Sequence, residues 1–95
     1  MSLVTISING RRGKFEIKEE NHQLAEMEVG IMEDILTVYH TEVSPEAEGK
    51  GLAKVLLSSM VEYARANHLK VVPLCVFVLG QFKRHPTEYA DIWKG

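Results

Sequence analysis

Cysteine, aromatic residues and an excess of either charge are what this 95-residue chain has least of, and each shortage narrows what it does. The single cysteine, Cys75, excludes an intrachain disulfide and a cysteine-built zinc site, and it suits a reducing compartment. With 11 basic against 13 acidic residues the formal charge is −2, which gives no support to nucleic-acid binding, and no nucleic-acid partner is expected. The longest apolar run, residues 71–79, is far short of the roughly 20 residues that span a bilayer. No leader-like segment opens the chain, and the cytoplasm is the expected location. No pair of His, Asp or Glu residues has metal-ligand spacing, so no metal is expected. Without repeats, low-complexity segments or linkers, residues 1–95 read as one domain with a single core.

What is present is strong periodicity. Val4, Ile6 and Ile8 alternate with polar residues, as do Phe15 and Ile17, and Leu24, Ala25, Met27 and Val29 are interleaved with Glu26 and Glu28. A period of two predicts three strands. Asn9-Gly10, Gly13 and the polar cluster 19–22 supply turns, and Gly30 reads as the end of the third strand. Residues 35–43 predict a fourth strand, with Leu36, Val38 and His40 on one side and Ile35, Thr37, Tyr39, Thr41 and Val43 on the other. Short connections make these four an antiparallel meander.

Residues 52–66 predict a helix whose polar stripe, Lys54, Ser58, Glu62 and Arg65, leaves most of its circumference for packing. Asn67 is expected to end it in a left-handed conformation, with Leu69 folding back. Residues 70–79 are almost all apolar, as in a strand covered on both faces, and a crossover helix would return that strand parallel to the fourth. Pro73 within it is tolerated only where the strand leaves its neighbour. Short helices are expected at 81–85 and 87–93, divided by Pro86. The fold class is therefore α/β with a mixed sheet.

The chain is organised around residues 42–53, where a strand, a glycine-punctuated turn and a helix start meet. The first amides of a helix have no intrahelical acceptor, and the helix dipole adds about half a positive charge there. Lys50 and Lys54 flank this start, and no carboxylate stands among Gly51, Leu52, Ala53 and Lys54. Such a segment is an anion site built of main chain. The bland alternative is a tight turn whose glycines serve geometry alone.

Glu46, Gly49 and Gly51 resemble motif A of the GNAT acetyltransferases, Gln/Arg-x-x-Gly-x-Gly/Ala, which wraps the pyrophosphate of acetyl-CoA. His40-Thr41-x-Val43, Gly49-x-Gly51-Leu52-Ala53 and Pro73-x-Cys75, in that order, look like the minimal single-domain branch of the superfamily. The resemblance covers most of the C-terminal two-thirds of the chain. It implies a compact GNAT-like fold with parallel fourth and fifth strands that splay apart to admit the pantetheine arm. It also implies acetyl-CoA as cosubstrate and an amine as acceptor, and cofactor contacts from Val43, Glu48, Gly49, Lys50, Gly51, Leu52 and Ala53. Glu46 departs from the Gln or Arg of the motif, and a carboxylate there is repelled by a pyrophosphate, so Glu46 and Glu48 are expected to turn to solvent.

Two residues are candidates for catalysis. Cys75 lies beside the expected gap and reads either as a small buried hydrophobe or, as the resemblance implies, as a group near the acetyl thioester. His40, in the neighbouring strand, is a candidate general base for an amine or for Cys75. Tyr89 offers a weaker alternative as a proton donor to the leaving thiolate. The acceptor is expected to be an amine of a protein, a peptide or a small molecule, and the protein a monomer or weak homodimer. Two rivals share the fold: a non-catalytic CoA or acyl-CoA binding module, and a protein-interaction domain that keeps the turn only for folding.

Overall fold

Turn chemistry sets the register of the sheet. In the computed structural model, which describes residues 4–94, β1 (Val4–Asn9), β2 (Arg12–Glu19), β3 (His22–Met32) and β4 (Ile35–Val43) are joined by two-residue turns. Gly10 in the first turn, Glu20 and Asn21 in the second and Glu33 in the third all have positive φ, as turns matched to strand twist require. Each strand is antiparallel to the next, and β5 (Lys70–Pro73) joins parallel to β4, giving the order β1-β2-β3-β4-β5. Between β4 and β5 the chain makes a short 3₁₀ turn at Pro45–Ala47 and then α1 (Leu52–Ala66). It finishes with α2 (Val76–Arg84) and α3 (Pro86–Tyr89). The expected mixed α/β sheet with a crossover helix is the observed architecture.

One face of the sheet carries the core. Phe15, Ile17, Met27, Val29, Leu36 and Val38 meet Leu56, Met60 and Ala64 of α1 and Val78 and Phe82 of α2, all fully buried. A buried side chain of this size contributes about 1.5–3 kcal/mol relative to exposure, so this layer dominates stability. The opposite face is polar. Glu16 is its buried member, held by Gln23 Nε2 at 2.5 Å with Lys14 and Lys18 within 4 Å. Arg65 of α1 grips Asp91 at 2.9 and 3.1 Å and the Glu88 carbonyl at 2.8 Å, fastening the C-terminal segment to the helix. No helix among the described residues is long and apolar enough to cross a membrane.

Four local expectations are corrected. Gly30 does not end β3, which runs on to Met32. Its hydrogen makes room for the Tyr39 ring, which an added Cβ would meet at 2.8–2.9 Å. The apolar stretch 70–79 is not one strand. β5 stops at Pro73, and from Val76 the residues are helical with Val78 and Phe82 inward, because a continuous apolar run has no period to separate strand from helix. The helices expected at 81–85 and 87–93 are replaced by α2, which starts earlier, and by the single turn of α3, after which Trp93 bridges to Val71. The left-handed residue after α1 is His68 at φ 57°, not Asn67 at φ −106°.

His68 donates to the Arg65 carbonyl at 3.3 Å and Leu69 to the Ala64 carbonyl at 2.8 Å, the paired bonds of a Schellman ending, with Leu69 buried as expected. A Cβ-bearing residue is strained in that conformation. His68→Gly is therefore expected to stabilise the fold by about 0.5–1 kcal/mol, a rise in Tm of roughly 3–6 °C by thermal melting. An unchanged or lower Tm would show that the imidazole makes a compensating contact.

Candidate functional site

Two strands that start as neighbours come apart at Pro73. The β4–β5 ladder ends at Val38↔Pro73, and the Val38 carbonyl accepts both the Leu74 and the Cys75 amides at 3.0 Å. The Leu74 amide is the last that β5 gives to β4, the Cys75 amide converges on the same oxygen, and the chain turns there into α2 with Cys75 as its N-cap. Residues 39–43 of β4 then have no β5 partner, and a gap opens beside them. Cys75 is 7% exposed, and its thiol donates to Thr41 Oγ1 across the gap at 3.3 Å.

A bulge decides what else borders this gap. Glu28 of β3 pairs with His40 and Val29 with Val38, so Tyr39 is one residue too many on β4. An extra residue reverses which side chains face the core. Before it Leu36 and Val38 point inward; after it Thr41 and Val43 lie opposite Met27 and Ala25 of the core row. His40 stands on the polar face across from Glu28, half-exposed, with Nε2 3.3 Å from Glu42 Oε2. The expectation that His40 and Leu36 share a side, and that His40 serves as base for Cys75, is therefore corrected: the sheet lies between imidazole and thiol. Tyr89 does not approach Cys75 either. It stacks on Phe82 at 4.7 Å and lines a separate recess with Arg65 and Glu88, and burial pushes its hydroxyl pKa up.

The loop before α1 is pinned at its base and open at its tip. Ser44 donates to the Leu24 carbonyl at 2.8 Å, Ala47 to the Ser44 carbonyl at 2.9 Å, and the Ala47 side chain is buried. Gly49 and Gly51 then take φ 87° and 72°, and a Cβ built on either meets nothing within 4 Å. Gly51 is itself the N-cap, has no capping side chain, and accepts the first helical bond from Val55 at 3.2 Å. Among the described residues the amides of Leu52, Ala53 and Lys54 thus have no protein acceptor, and the first turn holds no acidic residue. Val43, Ala47, Glu48, Gly49, Gly51, Leu52, Ala53, Lys54 and Phe77 line one groove of about 350 Å³. Six of the seven candidate cofactor contacts are among them; Lys50 is not. The sequence pattern does not single out Phe77, because a continuous apolar run reads as strand.

Glu46 faces away from that groove. Its carboxylate accepts from the Ser44 hydroxyl and lies 2.8 Å from His22 Nε2 at the start of β3. These contacts, Ser44 first and His22 second, hold its pKa below the usual glutamate value. A depressed folded-state pKa stabilises above the unfolded value and ceases to do so as pH falls through the folded one. Glu46→Gln should therefore melt below the wild type near pH 6, and the difference should begin to shrink near about pH 4.3, the ordinary glutamate value, and vanish once pH is below the depressed folded value. Melting curves from pH 6 to 3 check this, and a constant difference throughout would refute it. Glu48, in contrast, is exposed on the groove itself.

The chain matches the family described as GCN5-related N-acetyl-transferase over residues 14–92. It is similar to the solution NMR structure of a GCN5-like candidate N-acetyltransferase from Staphylococcus aureus, with 34% identity, TM-score 0.71, and coverage of 100% of this chain and 92% of that one. A candidate acetyltransferase from Pyrococcus furiosus shares 26% identity over 68% of this chain and 49% of its own, TM-score 0.59. The ribosomal-protein-S18-alanine N-acetyltransferase of Escherichia coli has the same fold at 16% identity and TM-score 0.64. The match covers 70% of this chain and only 43% of that enzyme. No curated protein is similar enough in sequence to count as a match.

Proposed function

The chain belongs to the family of GCN5-related N-acetyltransferases, and from that membership we propose that it is a single-domain enzyme that binds acetyl-CoA and transfers the acetyl group to an amine. The observation that carries this reading is the set of unpartnered amides at Leu52, Ala53 and Lys54 behind two left-handed glycines, at the mouth of the β4–β5 gap. Those amides and the helix dipole receive the pyrophosphate. Val43 and Phe77 offer apolar contact along the groove, and Lys50 and Lys54 add positive charge near the phosphates. Glu46 does not oppose binding, because it is engaged by Ser44 and His22.

The pantetheine arm lies along the unpaired edge of residues 39–43, which brings the thioester to Thr41 and Cys75. An amine approaching from the polar face gives its proton to His40, and its nitrogen adds to the thioester carbonyl carbon. The C–S bond then breaks, and CoA leaves as a thiolate that takes up the proton. Because a bound thioester is already activated, positioning supplies much of the rate. Cys75 lines the acetyl pocket in this scheme. The acceptor is an amine on a protein, a peptide or a small molecule, and incubation of the protein with labelled acetyl-CoA and cell extract identifies it by what becomes labelled.

Addition of acetyl-CoA is expected to shift the backbone amide resonances of residues 48–53 more than any others. Gly49→Val is expected to weaken binding about tenfold, through strain at positive φ and obstruction of the phosphate approach. Shifts centred elsewhere, or normal binding by Gly49→Val, would move the site.

Intact mass after incubation with acetyl-CoA tests the role of Cys75. The wild type should carry no acetyl adduct, while Cys75→Ala transfers acetyl more slowly than wild type. A hydroxylamine-sensitive adduct lost in Cys75→Ala establishes a covalent route instead. Wild-type rates in both Cys75→Ala and Cys75→Ser return Cys75 to the core.

A further inference from the structure

The thiol of Cys75 is partnered, but the hydroxyl that receives it is only half used. A threonine hydroxyl accepts through two lone pairs and donates one proton. Thr41 Oγ1 accepts from Cys75 Sγ at 3.3 Å, and this is the one side-chain hydrogen bond Thr41 makes among the described residues. The residue stands in the part of β4 that β5 has left, and the bulge at Tyr39 turns it to the Cys75 side of the gap. At intermediate burial its hydroxyl is open to the gap and free to give its proton to water or to a ligand there.

We propose that Thr41 donates its hydroxyl proton to the carbonyl oxygen of the acyl group held in this gap, while its lone pair holds the Cys75 thiol aside. This rests on the reading that acetyl-CoA occupies the gap. The contact gains strength during transfer, since the carbonyl oxygen takes on negative charge as the amine nitrogen adds. It weakens again when the C–S bond breaks and the carbonyl reforms. Thr41 is thereby a substrate-contacting residue with a role separate from that of Cys75.

Binding alone tests the assignment, without any acceptor. The probes are acetyl-CoA and S-ethyl-CoA, a thioether of nearly the same shape that lacks the carbonyl. The wild type should bind acetyl-CoA about five- to tenfold more tightly, the worth of one neutral hydrogen bond. Thr41→Val, which keeps the shape and removes the donor, should bind both alike, and Thr41→Ser should restore the preference. Preference retained in Thr41→Val, or equal binding by the wild type, overturns the role of Thr41 and leaves acetyl-CoA binding standing. Failure of the wild type to bind either probe overturns the acetyl-CoA reading and this inference together. Circular dichroism of Thr41→Val confirms that an equalised affinity comes from a folded protein.

Discussion

The convergence of two amides on the Val38 carbonyl is the constraint on which the candidate site depends. β5 follows β4 for four paired positions, from Ile35↔Lys70 to Val38↔Pro73, with Lys70 and Leu74 donating toward β4 and Val71 donating to Ile92 on the other side. The Val38 carbonyl takes two amides at once, the chain turns, and α2 begins with Cys75 at its cap. Had the ladder continued, residues 39–43 would be paired and the sheet closed where the acyl group is proposed to lie. Phe77 reaches the groove for the same reason, being carried there by the first turn of α2.

A second constraint divides the chemistry between two faces. The Tyr39 ring lies over Gly30, with the Arg12 guanidinium 5.0 Å from its centroid and bound to Glu28 at 3.2 Å. That packing accompanies the extra residue in β4, and the extra residue changes the parity of everything after it. Thr41 turns toward Cys75, and His40 joins Glu28 and Glu42 on the polar face. A thioester in the plane of the gap would meet thiol and hydroxyl from one side and imidazole from the other. Direct attack by an amine suits this division better than a Cys–His pair, because the two residues do not touch.

The anion loop illustrates why one motif tolerates an unfavourable side chain. In the proposed mode main-chain amides receive the anion, and their direction is set by the positive φ of Gly49 and Gly51 and by the anchor at Ala47. A carboxylate at position 46 is harmless provided it is directed elsewhere, and Ser44 and His22 direct it. The preference for Gln or Arg at this position in the motif is thus replaced by a local pairing, and the charge never faces the groove.

Local chemistry was enough to make β4 and α1 legible end to end, since strand alternation, helix propensity and the glycine turn act within a few residues. The uncapped start of α1 was legible for the same reason: unpaired amides follow from the start of any helix, and Gly49 and Gly51 take positive φ before it. The meander and the parallel return of β5 followed from connection lengths. Contacts between distant segments settled the rest. The end of β5 and the start of α2 lie inside an apolar run with no period, so only its packing on the sheet and on Trp93 distinguishes strand from helix. The face on which His40 stands depends on a bulge, where the extra residue Tyr39 lies over Gly30 of the neighbouring strand. By itself the sequence determined six of the nine residues that line the groove before α1; the tertiary structure added Phe77 and decided which side chains face one another, because parity along a strand is set by its neighbour and not by its own residues.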